Sequence, residues 1–415
     1  MSTQTLATAD AVLKDFYEGP IQEQINQQTY LIDQIEKDTE QTVVEGRRVI
    51  VPLHKSRNRG RKSTGDGATL PGAGKQGFAD AILSMRYHYQ GIELTDASVK
   101  ATKGSEGAFV KLLQAETEGV AKDMRKDMQR QAFGEGTGLL GTCGVTAGSK
   151  VVEMGTAFDV QYIQIEDTVD IIKKADGSTS TGAVATEVTD RNVAAKTITV
   201  AATVTTDNTF GVYVSGNRNN EMDGLRNITA KGRTLHSIDS TATGNKYWDG
   251  NTLAAGESLT KLSVAGEDLF IQLFDKIAEN GQGEVEACLT TRGIRRRLAN
   301  QYQSQKRMND AKTVDIHGGY TAIMVDEVPV MKDDDCPKTF VFGFRNKALR
   351  WFELDAPGFL RDPDGNGSIF QLKNAGSGQS SSVWQAWYKW YAVLGTIAAN
   401  QTGRLEFCTD DNPKE

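Results

Sequence analysis

The sequence predicts an α+β fold in which extended pieces project from more than one core. Three observations predict it. A basic, glycine-rich connector with few apolar residues separates two β-branched runs. One long amphipathic helix follows. Beyond it, an alternating Thr/Val-rich stretch gives way to α and β segments in turn.

Residues 1–41 read as a polar, helical arm. Leu13, Phe16, Tyr17, Ile21, Ile25, Leu31, Ile32 and Ile35 form an imperfect apolar stripe, interrupted by Pro20. Such a segment has little core of its own to enter, so it is expected to need another surface, such as a neighbouring subunit.

Residues 42–95 read as an extended β-hairpin. Its strands are TVVEGRRVIVPL and ADAILSMRYHYQGIEL, and HKSRNRGRKSTGDGATLPGAGKQGF is the loop between them. Long loops without a core are usually functional or disordered. Gly46 and Gly91, at the two ends, are candidate hinges. Lys55, Arg57, Arg59, Arg61 and Lys62 form a basic run. It suits docking on an acidic neighbour or on nucleic acid. No aromatic residues are interleaved for base stacking, which weakens the second reading.

Residues 96–157 hold the clearest helix, over 105–132. Ser105 is a candidate N-cap, and Phe109, Leu113, Val120, Met124 and Met128 recur at helical spacing. At ~1.5 Å per residue the helix spans about 40 Å. Gly134, Gly136 and Gly138 end it. Residues 158–228 read as a small β-rich insertion, with turns at Asp176-Gly177 and Asp207-Asn208. Residues 229–263 supply strands and a linker. Residues 264–382 alternate between α and β. Residues 383–415 are aromatic and β-prone, and read as a return strand.

A chain of 415 residues exceeds one ordinary core. Apolar residues at 38% exclude global disorder. A net charge of −7 argues against a surface that grips nucleic acid all over. Cys143, Cys288, Cys336 and Cys408 lie far apart and form no metal or redox motif, so reduced thiols are expected. Neither a secretory signal nor a membrane span is visible, which implies a cytoplasmic product.

Catalytic signatures are absent from the sequence. His54, His88, His236 and His317 have no nucleophile in a recognisable spacing. Asp362–Gly367 resembles half of a calcium loop, but Lys373 stands where a bidentate Glu is needed, so a surface turn is expected. Asp333-Asp334-Asp335 is expected to be a solvated turn between strands. Arg292, Arg295, Arg296 and Arg297 surround a helix start and read as an exposed helix face, with a ring contact near a symmetry axis as the alternative. No cofactor and no enzyme activity are expected.

The order of these parts resembles the major capsid proteins of tailed bacteriophages, whose fold is shared with encapsulins and the herpesvirus capsid floor. FGEGTGLLGTCGV (133–145) is similar to that family's turn after its spine helix. MDGLRNI (222–228) with KYWDG (246–250), GEVEACLTTRGIRRRL, VDEVPVMKDDDCPKTFVFGF (325–344) and YAVLGTIAANQTGRLEF are similar to its later segments. The resemblance implies a shell subunit forming hexamers and pentamers around double-stranded DNA. In its terms, residues 96–157, 229–263 and 383–415 are the peripheral domain, and 264–382 the axial domain. It implies a separate scaffolding protein, because the arm begins almost at Met1. It also implies a portal partner, an optional decoration protein, non-specific contact with packaged DNA, and a virion location after cytoplasmic assembly. Some members crosslink a loop lysine to a distant asparagine. Lys55, Lys62 and Lys75 lie in the right loop, but no acceptor is identifiable, and crosslinking is not expected. The rival readings are an encapsulin-type compartment, a multidomain hydrolase and a basic-loop nucleic-acid module.

Overall fold

The computed structural model describes residues 31, 32, 35, 46, 48–101, 112–179, 183–254, 267–281, 283–305, 314–316, 320–361, 369–374 and 380–410. They fall into two units. One takes Tyr89–Arg125 and Pro357–Lys389, the other Gln28–His88, Lys126–Ala356 and Trp390–Glu415.

In chain order, β1 (Arg48–Ser56) and β2 (Gly77–Ser84) form the hairpin, in register from Arg48↔Ser84 to Ser56↔Gly77. The run expected as one second strand is two. It breaks at Met85–Arg86, where Met85 is buried, and β3 (Tyr87–Thr95) pairs elsewhere. After α1 (Asp96–Ala101) comes the long helix α2 (Leu112–Phe133). Val120, Met124, Met128 and Ala132 are buried at four-residue spacing, the stripe that the periodicity predicts. The expected cap Ser105 and Phe109 lie outside the described residues.

The β-rich module comprises β4 (Leu139–Thr142), β5 (Thr146–Glu153), α3 (Ala157–Val160), β6 (Thr168–Lys173), β7 (Thr186–Asn192), β8 (Thr197–Thr206) and β9 (Phe210–Val214). Its sheet runs β4-β9-β6-β7-β8-β5. The two ends meet. Cys143 bridges Met154, and Gly144 N–H donates to Glu153 O at 2.7 Å. Val152, Ile163, Val169, Ile171, Val188 and Val212 fill the interior. The sheet starts at Leu139, well before residue 158. Its first strand lies in the glycine-rich stretch that reads as a helix exit. The expected turns form: Asp176 Oδ1 accepts from Ser178 N–H and Asp207 Oδ1 from Thr209 N–H.

The chain continues through α4 (Leu225–Ile228), β10 (Thr234–Leu235), β11 (Ile238–Asp239), β12 (Asn251–Ala254), α5 (Glu267–Gly281), β13 (Ala287–Thr290), α6 (Arg292–Gln305), β14 (Val314–Ile316), β15 (Tyr320–Val325), β16 (Val328–Lys332) and β17 (Val341–Phe344). It ends with β18 (Leu349–Phe359), β19 (Gln371–Asn374), β20 (Ser380–Thr396) and β21 (Thr402–Glu406). Seven strands form the sheet β12-β21-β17-β13-β16-β15-β14. Strand β13 is buried at every position, as a strand covered on both faces must be. Leu269, Phe270, Leu273, Phe274 and Ile277 of α5 and Ile294 and Leu298 of α6 cover it. The α/β region is therefore not confined to 264–382. Strand β21 lies inside the sheet, parallel to β12 and antiparallel to β17, and Leu405 and Cys408 belong to its core.

In the other unit, β20 pairs with β18, β19 and β3. Ile92, Val120 and Ala386 form its core with Phe359 and Tyr388. Gly91 sits within β3, and a Cβ there would lie 3.4 Å from the Trp387 indole. Packing against that ring accounts for this glycine. Gly46, by contrast, has φ +123°, a conformation that side chains avoid.

The turn before α4 presses on the end of α2. A Cβ on Gly224 would lie 2.5 Å from both Ala132 O and Gln131 O. Gly224→Ala must push backbone from backbone, and a loss of about 1–3 kcal/mol is expected. Denaturant unfolding checks it, and an unchanged midpoint would contradict the packing described.

Candidate assembly surface and its anchoring

Every residue from 57 to 70 is exposed. The loop narrows to a throat where Asn58 Nδ2 donates to Gly74 O at 3.1 Å and Gly60 N–H donates to Asn58 Oδ1 at 2.7 Å. A Cβ on Gly60 would lie 2.5 Å from Gly74 N, so only glycine lets the two arms cross. Lys55, Arg57, Arg59, Arg61 and Lys62 all lie exposed along one arm, and none of them forms an ion pair among the described residues. On the ribbon below, Ile50 is 61% and Phe78 66% exposed, and Leu70 in the loop is 80% exposed. His54 stacks obliquely on Phe78 and meets Gln76 Oε1 at 2.8 Å.

The root of the hairpin is firmly held. Ala81 and Leu83 are buried there, and Leu53 nearer the loop is buried on the same face. Ile82 N–H donates to His236 O at 2.8 Å, and His236 Nε2 accepts Thr396 N–H at 3.3 Å. His236 and Ser237 form a tight turn with φ +50° and +65°. Arg233 supports this turn by donating to three main-chain carbonyls: Asn227 O at 2.6 Å, Trp248 O at 2.7 Å and Ile228 O at 2.5 Å. Trp248 Nε1 donates to Leu235 O at 3.1 Å. Carbonyls left over from a short helix and a loop are thereby satisfied inside the protein.

One turn of α2 collects polar partners from distant parts of the chain. Lys126 Nζ meets Asp335 Oδ2 at 2.5 Å, and Gln129 Nε2 donates to Asp333 Oδ2 at 2.6 Å. Arg130 bridges Asp127 and Glu221, at 2.8 and 2.6 Å. Burial opposes its charge, but the two carboxylates outweigh that and raise its pKa. Tyr162 donates to Asp335 O at 3.0 Å, and Arg292 pairs with Asp334. The acidic turn is thus not solvated. Asp333 and Asp335 are buried, because α2 brings them a cation and an amide. Burial and the neighbouring Asp335 push the Asp333 carboxyl up to about 7.

The arm is also partly tied to its own chain. Leu31, Ile32 and Ile35 are buried, and Ile32 N–H donates to Gln129 Oε1 at 3.0 Å. The rest of the first forty residues, the Asp362–Gly367 turn and His317 lie outside the described residues. His88 and His236 are buried in structural roles. All four thiols are free and buried, and burial raises their pKa values. Among the described residues, no group of acidic, His or Cys side chains could hold a metal ion, and no helix is long and apolar enough to cross a membrane.

Sequence reasoning saw the three aspartates and missed their burial. The available signal was the polar pair Lys126 and Gln129 flanking the apolar stripe of α2. It missed Arg233 and the structural role of His236, since their partners are main-chain atoms.

No protein-family model matches the chain, and no curated protein matches it in sequence. Solved structures do match over nearly all of its length. The capsid of Cyanophage A-1(L) aligns with TM-score 0.58 and 11% identity, over 98% of this chain and 100% of that one. The SrpI encapsulin of Synechococcus elongatus PCC 7942 aligns with TM-score 0.52 and 8% identity, over 99% and 98%. The capsid of a native GTA particle aligns with TM-score 0.52 and 10% identity, over 99% and 100%. The fold is that of tailed-phage capsid proteins and encapsulins.

Two outcomes follow from the anchoring. Lys126→Met removes the ammonium group that meets the buried Asp335 and is expected to cost about 3 kcal/mol in urea unfolding. Burial, then Arg233, pushes His236 down to about 3 from 6.5. Between those values the unfolded chain binds a proton that the native imidazole refuses. Stability is therefore lost as pH falls through that window, by up to about 1.4 kcal/mol per pH unit from this group. The pH slope of the urea midpoint should flatten in His236→Gln, and an unchanged slope would remove His236 from the account.

Proposed function

We propose that this chain is the major capsid protein of a tailed bacteriophage, a structural subunit and not an enzyme. It would assemble as hexamers and pentamers into an icosahedral head around double-stranded DNA. The observation that carries this reading is the loop over 57–70, which is fully exposed on a rigidly rooted ribbon with large apolar residues uncovered. A lone subunit cannot bury that surface, and sister copies can. The near-complete match to capsid structures supports it.

In this reading Lys55, Arg57, Arg59, Arg61 and Lys62 meet the surface of a neighbouring copy, and the chain swivels at Gly46. Gly91 has a packing role against Trp387, so Gly46 alone is kept as a hinge. A scaffolding protein, a portal and an optional decoration protein are the expected partners, with loose contact to packaged DNA. Assembly takes place in the host cytoplasm and the product resides in the virion. Reduced, buried thiols suit that compartment.

The encapsulin match favours a second reading, a shell around protein cargo. The contents of purified particles, nucleic acid or enzyme, separate the two.

Replacing residues 57–76 by an Asn-Gly turn closes the ribbon where Ser56 already faces Gly77. The expected result is a folded chain that forms no shells by electron microscopy, while the intact chain with a scaffold forms hollow particles. Shell formation by the shortened chain, or a permanent monomer of the intact one, would overturn the proposal.

A further inference from the structure

Gln129 stands between two partners whose states are linked through it. Its Oε1 accepts Ile32 N–H at 3.0 Å, and its Nε2 donates to Asp333 Oδ2 at 2.6 Å. The side chain is fully buried, so water cannot replace either contact. A carboxamide offers one accepting end and one donating end. Whatever Asp333 requires of it decides what is left for Ile32.

Asp333 Oδ1 is already occupied, accepting Asp335 N–H at 2.9 Å. A proton taken up by the carboxyl therefore belongs on Oδ2, facing Nε2. Two donors then oppose each other. Reversing the amide repairs that contact and turns the NH2 group onto Ile32 N–H, where two donors again meet. An unmade buried hydrogen bond costs enough to unseat a short segment.

We propose that Gln129 and Asp333 form a proton-operated latch on the N-terminal arm. The ionised carboxylate keeps Ile32 seated, and the protonated carboxyl releases it.

The surrounding charges set where the latch works. From its own turn, Asp333 faces Asp334 and Asp335. Lys126 of α2 is engaged by Asp335, and Arg292 of α6 by Asp334. Lys332 precedes the turn. The Cys336 thiol is held protonated by burial, and Asp410 is held by Thr291 Oγ1 at 2.7 Å. The described arm residues, Leu31, Ile32 and Ile35, bring only apolar side chains. Among the described residues no cation pairs directly with Asp333, and burial with Asp335 raises its pKa to about 7. Release is thus set near neutral pH, on the acid side.

Hydrogen–deuterium exchange of the full unassembled chain tests the latch, after correction for intrinsic exchange. Peptides covering Ile32 should be protected at about pH 8 and lose protection by roughly tenfold or more at about pH 6, while the core of α2 stays protected. Asp333→Asn cannot accept from both Asp335 N–H and Gln129, so it should show the released arm at both pH values. Equal protection of the wild-type arm at the two pH values would overturn the proposal. So would an arm that stays protected at about pH 8 in Asp333→Asn. Should that variant fail to fold, the wild-type comparison alone decides. The result does not depend on whether the chain builds shells.

Discussion

The burial of the Asp333–Asp335 turn against one face of α2 is the constraint around which the larger unit is organised. Charges inside a protein are expensive, and such pairs seldom raise stability over apolar packing. What they supply is uniqueness of position. Lys126 and Gln129 can satisfy Asp335 and Asp333 in only one rotation and one axial offset of the helix. Tyr162, reaching Asp335 O, fixes the β-rich module to the same point. Arg130 does the same for Glu221, just before the turn at Gly224. A helix held only by Met124, Met128 and Ala132 could slide by a residue at small cost. These polar contacts forbid it.

Close backbone approach works in the same direction. Gly224 lies on the last carbonyls of α2, Gly138 on Asn217 O, and Gly250 on Thr229 O. Each allows main chain to meet main chain where a side chain would hold them apart. Arg233 then satisfies carbonyls that such irregular segments leave open. The region between β9 and β12 has little regular structure. Its rigidity comes from these contacts instead of from a hydrogen-bonded ladder.

Much of this was legible in residue order. The period of Val120, Met124 and Met128 announced α2. The basic, coreless stretch announced the loop. What periodicity could not convey was which strand joins which sheet. β2 and β3 read as one run because alternation survives the Met85–Arg86 break. β21 read as a terminal return strand because nothing local says that β12 will lie beside it. Burial of Asp333 and Asp335 was illegible for another reason. A charged residue reads as exposed until its partner is known, and Lys126 lies far away in sequence.

The exposed ribbon bears on how copies would recognise each other. Ile50 faces Ile82, Pro52 faces Asp80 and His54 faces Phe78 across the hairpin, so these residues share one face. An isolated two-stranded ribbon is marginally stable in water, and this one is held by its opposite face, where Leu53, Ala81 and Leu83 are buried. The loop above carries Lys55, Arg57, Arg59, Arg61, Lys62 and Lys75 against Asp66, on a chain of net charge −7. The remainder is therefore more acidic than the total. Bodies of like charge repel one another at a distance, while a basic loop is drawn to any of them. Association would then be possible only in poses where loops engage bodies. The apolar face, covered in the same event, would hold what the charges had brought together.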